Sequence, residues 1–194
     1  EYENAILEDI KTLGFDVDSM KITHSSDHFD KLLELATQMI KEGEAFCDDT
    51  DPETLSEQRE VRLESKNRDL SVEDNMTMWE DMQSGARTDC ILRFKINMNS
   101  DNGCLRDPTI YRCIPDANHH RTGTKYKIYP LYDWACPIID SFEGVTHVLR
   151  STEFVDRRSQ YQMVLRKLDM RCPEIFEYGK VQFTNAVMSK RKIL

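Results

Sequence analysis

A short apolar run that ends in polar side chains is the feature that most constrains the fold of this chain. Residues 145–149 are nearly continuously apolar, which predicts a strand covered on both faces, and residues 150–153 are Arg-Ser-Thr-Glu. A preceding helix is predicted by Gly144, where it would stop, and by apolar residues at helical spacing, namely Tyr132, Ala135, Cys136, Ile139 and Phe142. Because open α/β sheets bind ligands at the carboxyl ends of their strands, the pattern favours an α/β protein with a site here.

The first 45 residues predict two amphipathic helices around a short strand. The first helix ends at Gly14, residues 21–24 have the character of a strand, and the second helix runs from about Phe29 to Ile40. A cap for the second helix is expected near Ser26 or Asp27, and its end at Gly43. A helix, a strand and a helix in this order are what half of a doubly wound domain supplies.

Residues 46–128 have a different character. Asp51-Pro52 predicts the start of a charged helix that runs to about Ser65, and Ser71 predicts the cap of another that ends before Gly85. Apolar side chains alternate with Arg93, Lys95 and Asn97 over residues 92–98, which predicts a strand with one solvated face. A turn at Asn102-Gly103 and strands near residues 110–114 and 126–129 follow.

The end of the chain predicts one more helix and one more strand. Tyr161, Val164, Leu165 and Leu168 continue a helix that Cys172-Pro173 breaks, and residues 175–183 are typical of one strand or two.

The composition indicates a globular protein. The 194 residues are 39% hydrophobic, no apolar run approaches the length of a membrane span, and no signal peptide is visible, so no membrane partner is expected. The six cysteines form no CxxC pair, which favours free thiols in a reducing compartment and argues against a bound zinc ion.

The net charge of −9 is unevenly distributed along the chain. Residues 1–100 carry 11 basic and 24 acidic side chains, a net −13, whereas residues 101–194 carry 15 basic and 11 acidic side chains, a net +4. An RNA partner would therefore meet mainly the second half, through local basic patches.

Four sequence segments together resemble one enzyme family. They are RDPTIYR (106–112), HHRTGTKYKIYP (119–130), YPLYDWACPIIDSFEGVTHVLR (129–150) and VMSKRK (187–192), the last of which is similar to a KMSKS loop. Their amino-acid sequences and spacing resemble those of the class I glutamyl- and glutaminyl-tRNA synthetases, and most closely those of the eukaryotic cytosolic glutamyl enzymes. The resemblance covers essentially the whole chain.

This resemblance implies an α/β fold with a partial Rossmann-type class I catalytic domain and an inserted α+β domain that binds the tRNA acceptor end. The expected boundaries are residues 1–45 for part of the first catalytic half, 46–128 for the inserted domain and 129–194 for the second half, which ends at the KMSKS-like loop. No HIGH-like motif is present in the chain. We expect one within about sixty residues upstream, and we expect the 194-residue chain to be an incomplete fragment that is inactive by itself.

The resemblance also implies an activity. A cytoplasmic glutamate–tRNA ligase would use ATP, accompanied by Mg²⁺, to activate L-glutamate and would transfer it to the 3′ end of tRNA(Glu). Other synthetases or scaffold proteins are further candidate partners. Two alternatives remain open: a glutaminyl-tRNA synthetase, and a non-catalytic RNA-binding or interaction module derived from a synthetase.

Arg150 is the first candidate for binding the substrate. A side-chain carboxylate needs a fixed cation, and a guanidinium offers it a planar pair of donors. The resemblance assigns the glutamate γ-carboxylate to Arg150, where glutaminyl enzymes carry an uncharged residue; the alternative is an arginine paired with Asp133 or Glu153. It also assigns Tyr132 and Cys136 to the glutamate pocket, although both residue types often serve only for packing. His147 is expected to be a core histidine rather than a base.

The ATP site is expected around Ser151 and the end of the chain. The resemblance assigns Ser151, Lys180, Val181, Met188, Ser189 and Lys190 to ATP, and gives Ser189 and Lys190 the catalytic role. Because glutamate activation needs no covalent catalyst from the protein, positioning and charge neutralisation by Lys190 would accelerate it. The alternative for the basic residues of this loop is a solvated surface or an RNA contact.

Asp156 is the candidate tRNA contact. Its match in glutaminyl enzymes meets the minor groove of the acceptor stem, where guanine exposes an amino donor. The alternative is a helix N-cap for the helix that follows. Arg93, Lys95, Arg157 and Arg158 are left as phosphate contacts or solvated side chains.

Overall fold

Two sheets and six helices make up the computed structural model, which describes residues 2–179. A four-stranded antiparallel sheet has the order β1-β2-β3-β4, with β1 Ala45–Asp48, β2 Ile91–Phe94, β3 Thr109–Cys113 and β4 Ile128–Pro130. A second sheet pairs β5 His147–Ser151 with β6 Glu174–Tyr178 in parallel. The helices are α1 Tyr2–Thr12, α2 Phe29–Lys41, α3 Pro52–Val61, α4 Val72–Ser84, α5 Tyr132–Phe142 and α6 Arg158–Lys167.

Most of the predicted helix boundaries are confirmed, because local capping chemistry sets them. Asp51 accepts a hydrogen bond from the Thr54 amide at the start of α3, and Ser71 accepts one from the Asp74 amide at the start of α4. Gly144 follows α5 with φ at +73°, a conformation in which a Cβ would be strained. Helix α3 nevertheless ends at Val61, four residues earlier than expected.

Two tryptophans tie α2 to the rest of the core. Trp79 and Trp134 are fully buried, and their indole nitrogens donate to Thr37 Oγ1 at 2.8 Å and to the Leu32 carbonyl at 3.3 Å. The same continuous core receives side chains from α2, α4, α5, α6 and the strands β1–β4. All three expected domains, residues 1–45, 46–128 and 129–194, therefore contribute to one core. The boundaries between them remain a prediction.

The predicted strand at residues 21–24 is wrong. These residues form no sheet, and the His24 amide donates to Asp27 Oδ2 at 2.9 Å in a cap of the 3₁₀ turn Ser25–His28. A strand needs a neighbour for its amides, and local capping has used this one. The expected order of helix, strand and helix therefore does not occur in the first 45 residues.

The alternation of residues 92–98 predicted that Arg93 lies on a solvated strand face, and this prediction is wrong. Strand β2 ends at Phe94, and Arg93 is 1% exposed. Its Nη1 donates to Asp48 Oδ2 at 2.8 Å, its Nε donates to the Asp107 carbonyl at 2.9 Å, and its guanidinium lies 5.2 Å from the centre of the Phe46 ring. Because both charges are buried together, Arg93 serves the core, and its interpretation as a phosphate contact is wrong.

The strand β5 was predicted at residues 145–149 and lies two residues further along, at His147–Ser151, so that it includes Arg150. Only one of its faces is covered in the described part of the chain. Val148 and Ile175 pack against α5 and α6 through Cys136, Tyr161 and Leu165. On the opposite face Leu149 is 70% exposed and His147 is also exposed, its ring stacked on Phe176 with centroids 5.6 Å apart. The expectations of a strand buried on both faces and of a core histidine are therefore wrong.

Within residues 2–179, no helix has both the length and the apolar character required to cross a lipid bilayer.

Candidate active site

The start of α5 and the end of β5 bring Tyr132 and Arg150 together. The chain passes from β4 directly into α5, and the Leu131 amide is bonded to the Ile110 carbonyl at 2.8 Å, which fixes where the helix begins. Gly144 then reverses the chain into β5, whose fourth residue is Arg150. Arg150 Nη2 donates to the Tyr132 hydroxyl at 3.3 Å.

Arg150 is a buried cation with unused donors. It is 6% exposed, and its Nε and Nη1 are buried without a hydrogen-bond partner in the described residues. Three aromatic rings surround the guanidinium, with centroids at 4.8 Å (Phe154), 5.5 Å (Tyr161) and 5.7 Å (Tyr132) from its central carbon. Ring faces attract a cation without occupying its N–H groups, so the arrangement holds the guanidinium while Nε and Nη1 remain unbonded.

Nearby acids have other partners. Asp133 is bound by Arg157, and Ser151 Oγ lies 3.3 Å from Glu153 Oε2. The expected alternative, an Arg150–Asp133 pair, does not form. A buried arginine with two free donors is costly unless a ligand or water completes its bonds, so this position is a candidate anion site.

A cavity of about 310 Å³ lies beside α5. Tyr132 is 51% exposed and contributes to its wall together with Cys136 and Asp140, all on one face of the helix. Ser25, Phe29, Pro130, Ala135 and Ile139 complete the lining. The volume is at the lower end for small-molecule sites, which suits a ligand the size of an amino acid.

Burial controls the protonation of the groups in this cavity. Burial raises the pKa of Cys136 to about 11, and it also raises the pKa values of Tyr132 and Asp140. Asp140 Oδ2 accepts from the Tyr161 hydroxyl at 2.9 Å and from Cys136 Sγ at 3.5 Å. At neutral pH the thiol and the phenol are therefore neutral hydrogen-bonding groups, and Cys136 is not a nucleophile.

The other predicted site residues are more scattered. Ser151 follows Arg150 at the carboxyl end of β5 and is partly buried. Asp156 is exposed in the 3₁₀ turn Thr152–Arg157, and its carbonyl accepts from Asn102 Nδ2 at 2.6 Å. The alternative interpretation of Asp156 as an N-cap is wrong, because Arg157 is the residue that precedes α6.

Several predicted residues lie outside the described part of the chain. They are Lys180, Val181, Met188, Ser189 and Lys190, with Arg191 and Lys192 of the same loop.

Sequence reasoning missed three residues around Arg150: Phe154, Tyr161 and Asp140. Tyr161 was expected only to continue a helix. Asp140 lies four residues after Cys136 and eight after Tyr132, so helical periodicity could have placed it on the same face.

The described residues do not bring metal-binding side chains together. Over residues 2–179, no three His, Cys, Asp or Glu side chains are arranged to hold a metal ion, and all six cysteines are free thiols.

Comparisons with known proteins identify the fold and the family. A glutamate tRNA ligase from Elizabethkingia meningosepticum, solved in complex with its amino acid, superposes with a TM-score of 0.63 at 17% identity, over 97% of this chain and 42% of that one. The predicted class I synthetase catalytic fold is confirmed by this likeness and by the family match below.

Curated relatives are similar over the whole chain. The bifunctional glutamate/proline–tRNA ligase of Mus musculus is 48% identical, and the cytoplasmic glutamate–tRNA ligases of Saccharomyces cerevisiae and Arabidopsis thaliana are 43% and 42% identical. The chain spans 13% of the mouse protein and 27% of each of the other two. The family model described as "tRNA synthetases class I (E and Q), catalytic domain" matches residues 1–194. The chain therefore belongs to the class I glutamyl- and glutaminyl-tRNA synthetase family and carries sequence of its catalytic domain.

Proposed function

We propose that the protein containing this chain is a cytoplasmic glutamate–tRNA ligase. The observation that carries the proposal is Arg150: a buried guanidinium with two unbonded nitrogens, in contact with a tyrosine that lines an amino-acid-sized cavity. A fixed cation of this kind favours a substrate with an anionic side chain. The relatives named above, which are glutamate–tRNA ligases, support the same substrate.

The proposed reaction has two steps. The α-carboxylate of glutamate attacks the α-phosphorus of ATP, which forms glutamyl-adenylate and releases pyrophosphate. A hydroxyl of the terminal adenosine of tRNA(Glu) then attacks the carbonyl carbon of the adenylate, and AMP leaves as the ester forms. Arg150 would bind the γ-carboxylate and Tyr132 would hydrogen-bond the amino acid, with Cys136 in the wall of the pocket. None of these groups forms a covalent bond, so their contribution is orientation and charge complementarity.

ATP is proposed to bind next to the amino acid, at Ser151 and at Lys180, Val181, Met188, Ser189 and Lys190. Ser151 supports this location because it directly follows Arg150 at the end of β5. Lys190 would neutralise charge on the leaving phosphates, Ser189 would lie beside it in the same catalytic loop, and Mg²⁺ would enter with ATP.

The acceptor end of the tRNA is proposed to meet Asp156 and residues 46–128, the proposed inserted domain. The exposure of Asp156 and its link to Asn102 support this proposal. Other synthetases or scaffold proteins are further proposed partners, since the mouse relative joins two synthetase activities in one chain.

Amino-acid-dependent exchange of pyrophosphate into ATP tests the proposal. The complete gene product, with tRNA present, is expected to exchange faster with glutamate than with glutamine. Arg150→Ala should lower the glutamate-dependent rate by about 100-fold, since removal of one partner from a buried charge pair costs a few kcal/mol. Faster exchange with glutamine would identify a glutaminyl enzyme instead, and no exchange with either would favour a non-catalytic module.

A further inference from the structure

Arg150 keeps its donors free although a carboxylate lies close by. Asp140 is near enough for the charge of Arg150 to act on its pKa, yet no hydrogen bond or ion pair joins these two described residues. Instead, the Tyr161 hydroxyl donates to Asp140 Oδ2 at 2.9 Å, and the Cys136 thiol makes a weaker contact with the same oxygen at 3.5 Å.

The other acids around Arg150 are also engaged. Glu177 lies opposite Arg150 in the β5–β6 ladder but faces Arg158, with an N–O distance of 3.6 Å. Asp133 is bound by Arg157. Asp140 is thus the acid whose position depends on a neutral tyrosine rather than on a cation.

We propose that Tyr161 is a positioning residue that determines specificity, because its hydroxyl holds the Asp140 carboxylate away from Arg150 and keeps Nε and Nη1 available to the carboxylate of the substrate. This inference rests on the proposed function, since it concerns the same substrate site. A carboxylate of the protein that bound Arg150 would be an intramolecular competitor of glutamate, so a higher glutamate concentration would be needed to fill the site.

The energetic argument follows from the donors around Asp140. Without the phenolic hydroxyl, the side-chain donor that Asp140 retains among residues 2–179 is the Cys136 thiol, which is a weak donor. A partly buried carboxylate is costly to leave without strong hydrogen bonds, and Arg150, whose charge acts on Asp140, has two unbonded donors. The ring of Tyr161 packs against the guanidinium at 5.5 Å, so removal of the hydroxyl alone leaves that contact in place.

Tyr161→Phe, Asp140→Asn and the double variant test the proposal in the complete gene product. In pyrophosphate exchange, Tyr161→Phe should raise the KM for glutamate about 10- to 100-fold and change the KM for ATP less than about twofold. The double variant should return the KM for glutamate to within about threefold of wild type, because a neutral amide cannot form the competing ion pair. Tyr126→Phe is the matched control: it removes another tyrosine–aspartate bond, from Tyr126 to Asp30 at 2.7 Å, and should leave both constants unchanged.

A crystal structure of the Tyr161→Phe variant gives a readout that does not depend on activity. We expect an oxygen of Asp140 within about 4 Å of an Arg150 nitrogen, the range of an ion pair. An unmoved Asp140, an unchanged KM for glutamate, or a double variant as impaired as Tyr161→Phe would each overturn the inference. A wild-type protein that does not exchange with glutamate would instead overturn the proposed function, and the crystal structure would still test the displacement of Asp140.

Discussion

Arg93 and Asp48 form an ion pair at 2.8 Å inside the core, where their side chains are 1% and 0% exposed. Asp48 also accepts hydrogen bonds from Thr50, Ser65 and Asn67, so its carboxylate is supported by neutral donors as well as by the cation. The pair connects the edge strand β1 to its neighbour β2 in the antiparallel sheet. Its two charges therefore depend on each other for solvation.

Removal of one partner should be strongly destabilising. Asp48→Ala leaves the Arg93 charge buried and unpaired, and we expect the free energy of unfolding to fall by about 3–5 kcal/mol. Urea unfolding of the purified chain measures the change, with fluorescence of the buried Trp79 and Trp134 as the probe. The control is Lys31→Ala, which breaks the exposed Lys31–Glu34 pair and should have a far smaller effect. Equal losses in the two variants would contradict the interpretation.

The same aspartate makes stability depend on acid pH. Burial alone would raise the pKa of Asp48, but hydrogen bonds from Thr50, Arg93 and Ser65 outweigh it and hold the pKa below its ordinary value of 3.8. As the pH falls, the unfolded carboxyl takes up its proton first. The stabilisation is therefore complete above the unfolded pKa and is lost as the pH falls below 3.8 through the lower folded value.

An isosteric variant isolates this contribution. Asp48→Asn should be less stable than wild type at pH 7, and the difference between their unfolding free energies should shrink from pH 5 to pH 2. Urea unfolding at several pH values measures it. A difference that stays constant over this range would show that Asp48 does not titrate with a lowered pKa in the folded protein.

The Arg93–Asp48 pair also shows why helix boundaries were predicted from the sequence better than the environment of the strands. Helix boundaries depend on contacts within a few residues, as the caps at Asp51 and Ser71 and the glycine turn at Gly144 show. The amino-acid sequence was therefore sufficient to predict them. The partner of Arg93 lies 45 residues away, and an alternating pattern cannot distinguish a solvated arginine from one that is paired in the core.

The candidate site was predictable to a similar extent. The position of Arg150 at the end of an apolar run predicted a binding group that faces the ligand crevice of the sheet, and the structure places its guanidinium beside the Tyr132 hydroxyl. Asp140 and Tyr161 were missed because their importance comes from contact with each other across 21 residues of chain. The prediction that β5 is buried on both faces was wrong, because a run of apolar residues does not indicate how many elements pack against a strand.

The Tyr132 hydroxyl should matter for glutamate binding under the proposed function. It accepts a hydrogen bond from Arg150 at 3.3 Å and its ring lines the cavity. Tyr132→Phe removes one hydrogen bond, worth about 0.5–1.5 kcal/mol, so the KM for glutamate should rise about 2- to 10-fold. Tyr132→Ala also removes the ring beside the guanidinium and should be more severe. Steady-state pyrophosphate exchange checks both variants, and an equal effect of Phe and Ala would mean that the ring contributes nothing.

The six thiols should react with alkylating agents in an order set by exposure and pKa. Cys172 is exposed, and burial raises its pKa as well, but burial raises the pKa of Cys136 to about 11 and the pKa values of Cys47 and Cys90 to about 12. A raised pKa lowers the fraction of reactive thiolate at a given pH, so at pH 8 iodoacetamide should modify Cys172 well before these three. Peptide mass spectrometry at timed intervals measures the order, and unfolding in urea should abolish the differences. Early modification of Cys136 in the folded protein would show that its thiol is either more accessible or more acidic than its contact with Asp140 implies, because a hydrogen bond to a carboxylate stabilises the protonated form.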